Sequence, residues 1–414
     1  MNNLVWIIIG LVGVGFIWAG FIFSKERLPA FARETLLTGW EVFLLGFAIG
    51  PGGLGLIGVG ELNQLNPFIA LGLGWAGLIF GAQLRVADLR KVEPFLRYMT
   101  VGQALATGVG LFIIFFFLAL TLRGGQLSEL AVAAFLVAAA CSVSSPTAIS
   151  MTAARLPKSA LPKVRPLLVI ATLDLAPALV VVGLVFCFFD GARGAAFSEE
   201  RGVALFFHSF LIAALLSAMF LLIDRKRLSE EHNLVVFLGF IIFASGISFY
   251  LGLSPLFTNL LVGVILANVL SHDDSLHTAL HSTEKPFYVI LLVLAGMWWT
   301  AEGAAVWITA LALAAGRMAL KLYSMRALER LVEGGRQLAP EAGLALCSPG
   351  AMGLAMGLNF MLGYHSDMAV FAFGVIAVST MFSEVVAPAL IRRAVGEGEL
   401  TKKAESQEKM NETG

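Results

Sequence analysis

Asp174 stands alone in the apolar run 166-PLLVIATLDLAPALVVVGL-184. An ionised carboxylate can hold a small cation and a neutral one holds a proton, but one group cannot do both at once. Such a group couples two ions by competition. Two cations, Arg317 and Lys321, fall one helical turn apart in the apolar run 303–324. A cation at mid-membrane costs about 2.5–3.5 kcal/mol on insertion scales, so it faces a partner or a water-filled cavity. Arg317 reads as the cation that balances charge at the site. Lys321, one turn nearer the inner end, reads as a side chain that reaches for the membrane surface. The bland alternative is that Asp174 only pairs with Arg317 to hold helices together.

Polar residues also interrupt two other apolar runs. One is 141-CSVSSPTAIS-150, with Ser144, Ser145, Pro146 and Thr147 inside the run 128–153. The other is 346-LCSPGAMGLAM-356, with Ser348, Pro349 and Gly350 inside 341–362. Proline removes a backbone donor and clashes with the preceding turn. In lipid, the freed carbonyls are tolerated only where protein or water satisfies them. A single interruption of this kind is usually a simple kink. A pair is more informative, because half-helix ends carry opposite partial charges and suit ions. The serine and threonine hydroxyls, with the carbonyls around Ser348–Gly350, then complete or shape a site around Asp174.

The elements that must position these residues follow from composition. The chain is 58% hydrophobic and only 14% charged, with a mean hydropathy of +0.86. Soluble domains carry nearer a quarter charged residues, so lipid is the expected solvent. A net charge of zero gives no global field for nucleic acid. Cys141, Cys187 and Cys347 lack metal-type spacing and read as small buried side chains. On a ruler of about twenty residues per span, the sequence predicts about thirteen transmembrane helices. Spans five (128–153), six (166–189), seven (203–223), eleven (303–324), twelve (341–362) and thirteen (368–391) matter most. The first, 3–23, reads as a retained helix rather than a signal peptide.

The basic residues support this count. With the N-terminus outside, loop sorting puts nearly all of the 28 lysines and arginines inside and leaves Arg123, Arg193 and Arg201 outside. A miscounted helix would mix the two sets. Spans five and twelve are seven helices apart and so run in opposite directions. That is the pattern of an inverted-topology repeat with two broken crossing helices, spans 1–6 echoed by 8–13. The fold class is therefore all-α and polytopic. The membrane domain covers 1–393, and a charged cytoplasmic tail covers 394–414. The loop 271-SHDDSLHTALHSTEK-285 carries three histidines. Without a third defined ligand beside His277 and His281, it reads as a solvated loop.

Taken in order, several segments resemble the monovalent cation:proton antiporter superfamily, nearer its Kef and bacterial Na+/H+ antiporter branch. They are 46-GFAIGPGGLGLI-57, 77-GLIFGAQLRVADLRK-91, 144-SSPTAI-149, Asp174, Gly316-Arg317 and 376-IAVSTMFSEVVAPAL-390. The resemblance implies a secondary-active antiporter that exchanges Na+, or K+ or Li+, for protons. It implies no cofactor and a homodimer in the inner cell membrane. The dimer scaffold would be 1–96 with 234–300, and the ion-carrying core 97–190 with 301–393, joined by the linker helix 203–223. Asp174 falls at the family's ion-carrying aspartate, but Leu173 replaces the usual Asn, Asp or Gln before it. A lone aspartate points to electroneutral exchange. Sodium-coupled organic-anion symporters of the bile-acid type share broken crossing helices and are the alternative. An enzyme is not expected: an aspartyl protease wants two mid-membrane aspartates, and no His-Glu-x-x-His occurs.

Overall fold

The computed structural model describes residues 40–156, 158–190, 196–197, 199–224, 230–270, 289–300, 303–332, 338–339, 341–364 and 366–396, with the single positions 10 and 13. Span one, the histidine loop and the tail beyond Gly396 lie outside the described residues. Six described helices are long and apolar enough to cross a membrane, and five shorter apolar ones accompany them. The chain is a multi-pass membrane protein. One two-residue ladder, β1 (Phe189–Asp190) against β2 (Ala196–Phe197), is the strand structure among the described residues.

In chain order the first helices are α1 (Trp40–Ile49), α2 (Val59–Gln64), α3 (Asn66–Gln83) and α4 (Val86–Lys91). The expected second span, 38–57, yields a helix only to Ile49, because Pro51, Gly52 and Gly53 follow and none favours continuation. Next come α5 (Pro94–Leu122), α6 (Leu127–Ser142), α7 (Pro146–Ala153), α8 (Leu161–Leu173) and α9 (Leu175–Phe188). The second half holds α10 (Glu199–Asp224), α11 (Glu230–Tyr250), α12 (Pro255–Val269) and α13 (Val289–Trp298). It closes with α14 (Gly303–Leu331), α15 (Ala342–Ala345), α16 (Gly350–Gly363) and α17 (Asp367–Val395). Several helices outrun their predicted spans. α14, for example, continues through Arg326 and Arg330, because a hydropathy ruler stops at the first charges and a helix need not.

α5 explains how such a chain sorts its faces. Pro94 opens it at a position where the missing N–H has no helical partner anyway. Met99, Gln103, Thr107, Leu111 and Phe115, each four apart, are buried. Val101, Leu105, Val109, Ile113 and Phe117, also four apart, are exposed. An exposed stripe this apolar would be an aggregation hazard in water but suits contact with lipid tails. α14 buries Val306, Ala310, Leu313, Arg317 and Lys321 along one stripe, so helical periodicity alone turns both cations inward.

α3 and α12 pack backbone to backbone. A Cβ at Gly81 would meet the Leu260 carbonyl and Gly263, and one at Gly263 would meet the Leu78 carbonyl. Small residues permit this close approach where burial from water supplies no driving force between helices.

Candidate functional site

Both expected interruptions occur, and local chemistry explains each. Between α6 and α7 the chain is non-helical from Val143 to Ser145. Pro146 excludes the helical region for the residue before it, and Ser145 sits at φ −93°, ψ 107°. The Ser145 hydroxyl then accepts from the Ala148 N–H, capping α7. Between α15 and α16 the chain breaks from Leu346 to Pro349. Gly350 restarts the helix at φ +67°, a conformation that favours glycine. The two interruptions touch: the Ser145 N–H donates to the Ser348 carbonyl at 2.8 Å.

A third discontinuity places the carboxylate. Asp174 is the single residue between α8 and α9. Pro177, three residues on, lacks the N–H that would bond the Leu173 carbonyl and crowds that oxygen, so the helix is interrupted where the carboxylate emerges.

The Asp174 side chain is buried, 1% exposed, and it meets the first interruption. Its Oδ1 accepts from the Ser144 N–H at 3.0 Å. Its Oδ2 accepts from the Ser144 hydroxyl at 2.5 Å, from Gln103 Nε2 at 3.1 Å and from Lys321 Nζ at 2.9 Å. Lys321 Nζ also donates to Ser144 Oγ at 2.8 Å. Both side chains of the Asp174–Lys321 ion pair are fully shielded. Removing two charges from solvent is tolerated because each finds the other and further hydrogen bonds besides.

This corrects the expectation for Lys321. It does not reach for the surface, because Asp174 offers a counter-charge within hydrogen-bond distance. Arg317 was expected to balance either the half-helix charges or the carboxylate, and the structure places it on the half-helix ends. Its Nη2 donates to the Val143 carbonyl and to the Leu346 carbonyl at 3.2 Å. Those carbonyls end α6 and α15, so one guanidinium ties off the negative ends of both interrupted helices. The positive end of α16 is covered by Glu384 of α17. Its Oε1 accepts from the Ser348 hydroxyl and from the Gly350 N–H at 2.9 Å.

Of the residues predicted for the site, the structure brings Ser144, Asp174 and Lys321 together. It does not bring Ser145 and Thr147 to the carboxylate. The Ser145 hydroxyl is used as a cap, and Thr147 is exposed on the wall of a cavity of about 60 Å³. That cavity runs between Trp75 and Ile79 of α3 and the interrupted segments, reaching Ser144, Pro146 and Gly350. It has room for a small ion, and it adjoins Asp174 through Ser144, which lines it and holds the carboxylate. Gln103 was missed by the sequence reading. Its signal was available: a buried amide on the polar stripe Thr100, Gln103 and Thr107 of an otherwise apolar helix. Its Oε1 has no hydrogen-bond partner among the described residues, which leaves an oxygen free beside the carboxylate. Oxygen-rich sites of this kind suit hard cations.

No family model matches the chain, and no curated protein matches it. Solved structures do. The chain is similar to the sodium proton antiporter MjNhaP1 from Methanocaldococcus jannaschii, in a structure at pH 8. The TM-score is 0.62 and the identity 15%, covering 95% of this chain and all (100%) of that one. An electron-microscopy map of the same antiporter gives a TM-score of 0.58 at 15% identity, covering 95% of this chain and 98% of that one. The likeness is one of fold. The shared fold agrees with the fold that the sequence resemblance to the monovalent cation:proton antiporter superfamily implies.

Proposed function

We propose that this protein is a secondary-active antiporter of that superfamily, exchanging a monovalent cation for protons. Na+ is the first choice of ion, with K+ and Li+ next. The observation that carries this reading is the buried pair of Asp174 and Lys321 at 2.9 Å. An ammonium group occupies the place on the carboxylate that a metal cation would take. An entering Na+ displaces it and gains Asp174, the Ser144 hydroxyl and the free Gln103 oxygen as ligands. Lys321 then gives up its proton to the side from which the Na+ entered, and takes one up again on the far side when the Na+ leaves. The pair carries no net charge with either occupant, and one Na+ is exchanged for one H+. Exchange is therefore electroneutral, in keeping with Leu173 offering no second carboxylate beside Asp174.

In this reading 97–190 and 301–393 form the moving, ion-carrying core, and 1–96 with 234–300 form the scaffold of a homodimer. The helix around 203–223 joins them. The glycine-lined contact of α3 with α12 supports a rigid scaffold. The cavity between α3 and the interrupted helices lies where an elevator-type core would slide against it. Lipid and small monovalent cations are the partners, with no role for nucleic acid and no enzymatic activity. The charge sorting supports an inner-membrane protein of thirteen spans, with its N-terminus outside and its C-terminus cytoplasmic. The likeness to an antiporter fold does not favour the organic-anion symporter.

The test is uptake of 22Na+ into proteoliposomes driven by a proton gradient. Wild type accumulates the isotope, and Asp174→Asn, reconstituted to the same density, does not. Gradient-driven uptake by the variant would overturn the assignment of Asp174.

A further inference from the structure

Asp174 and Glu384 occupy equivalent positions around the paired interruptions. At the first, the Ser144 hydroxyl and the Ser144 N–H both donate to Asp174. At the second, the Ser348 hydroxyl and the Gly350 N–H both donate to Glu384. Each acid sits on the long apolar segment that follows its interruption, Leu161–Phe188 for Asp174 and Asp367–Val395 for Glu384. The Ser145–Ser348 backbone bond joins the two halves.

The two carboxylates differ in their counter-charge. Asp174 has Lys321. Glu384 is 6% exposed, uses one oxygen on Ser348 and Gly350, and has no ion-pair partner among the described residues. Arg317 acts on it electrostatically but makes no ion pair with it: the Arg317 Nη2 bonds go to carbonyls. A shielded carboxylate held by one hydroxyl and one N–H still lacks a cation in direct contact.

Beside it lies a cavity of about 20 Å³, between α1 and α13 on one side and α16 and α17 on the other. That is room for one water-sized body, and a dehydrated small cation is no larger. Thr380, one turn before Glu384 on α17, lines the same cavity. Its hydroxyl is buried, 3% exposed, and without a hydrogen-bond partner among the described residues. A carboxylate with a spare oxygen and an unpartnered hydroxyl offer two oxygens to a small hard cation in a void of this size.

We propose that Glu384 and Thr380 form a second binding site for a small monovalent cation of the Na+ class, separate from Asp174 and on the opposite side of the paired interruptions. The proposal deepens the reading of the chain as a cation carrier: two ions are held per chain, one at each interruption.

Equilibrium binding of 22Na+ to the purified full-length chain in lipid nanodiscs tests it. Wild type is expected to bind two ions per chain at saturation, and Glu384→Gln one. Glutamine keeps an oxygen for Ser348 and Gly350, so α16 stays capped. As a second variant, Thr380→Val leaves the carboxylate in place and weakens one of the two sites about tenfold without removing it. Equal binding by wild type and Glu384→Gln, at any stoichiometry, overturns the proposal. So does a Thr380→Val isotherm identical to wild type. Asp174→Asn separates this idea from the one above: continued exchange in that variant refutes the transport assignment, whereas the Glu384 site is judged only by the loss of its own ion.

Discussion

Replacing Lys321 by methionine isolates the ion pair at the centre of the site. Methionine keeps much of the length and apolar stem of lysine and removes the charge. Asp174 would then be a shielded carboxylate with only the Ser144 N–H, the Ser144 hydroxyl and Gln103 as donors. Breaking a buried pair by removing one partner costs about 3–5 kcal/mol. The three remaining donors put this case at the lower end, about 3 kcal/mol. A bound cation can stand in for the lost ammonium. Sodium at about a hundred times its dissociation constant returns about 2.7 kcal/mol, nearly the whole deficit. In wild type the gain is smaller at the same concentration, because the ion must first displace Lys321. The assay is thermal unfolding in nanodiscs, with choline or sodium chloride at equal ionic strength. Lys321→Met should melt well below wild type in choline and recover most of the difference in sodium. A sodium shift of equal size in both proteins would refute the reasoning. So would a variant as stable as wild type in choline.

Other substitutions probe the interrupted helices. Arg317→Met leaves the buried Val143 carbonyl without its donor, at about 1–3 kcal/mol, and leaves the Leu346 carbonyl with only the Ser144 hydroxyl at 3.1 Å. Arg317→Lys keeps the charge but is shorter and cannot carry its nitrogen as far as Nη2 reaches, so thermal stability should rank wild type above Arg317→Lys above Arg317→Met. Gly350→Ala places a side chain at φ +67°, costing about 1–2 kcal/mol. The new methyl would also press on the Ser145 side chain at 2.8–2.9 Å. The variant should insert normally, melt lower and exchange more slowly, as read by scanning unfolding and isotope flux.

How much of this was legible in the sequence depends on the range of the forces involved. Ser145-Pro146 and Pro349-Gly350 act on their own backbone, so both interruptions could be read directly. The inward turn of Arg317 and Lys321 was equally local, because residues four apart share a helix face. The division of labour between those two cations was not local. Each lies on the buried stripe of α14, and only the height at which α6, α9 and α15 meet that stripe decides which reaches Asp174 and which reaches the carbonyls. The sequence reading left open whether Arg317 served the half-helix ends or the carboxylate and sent Lys321 to the surface; the assembled helices place Lys321 on the carboxylate and Arg317 on the helix ends.

Glu384 shows a signal that was available but not used, since it lies in span thirteen with no counter-charge on the same span. Yet Ser144 precedes Asp174 by 30 residues and Ser348 precedes Glu384 by 36. A break serine followed by an acid on the next long apolar segment is a pattern that the sequence repeats. Thr147 erred in the other direction. A hydroxyl next to a break proline looked like a ligand, but the first turn of α7 directs it to the cavity wall.

The most direct test of the whole account is made with proteoliposomes carrying an imposed pH gradient and a fluorescent proton probe. Na+, K+ and Li+ are added in turn to wild type and to Asp174→Asn. At least one cation should dissipate the gradient in wild type, Na+ foremost, and none should do so in the variant. No response from folded, inserted wild-type protein to any of the three, or an undiminished response from Asp174→Asn, would contradict cation:proton exchange through Asp174.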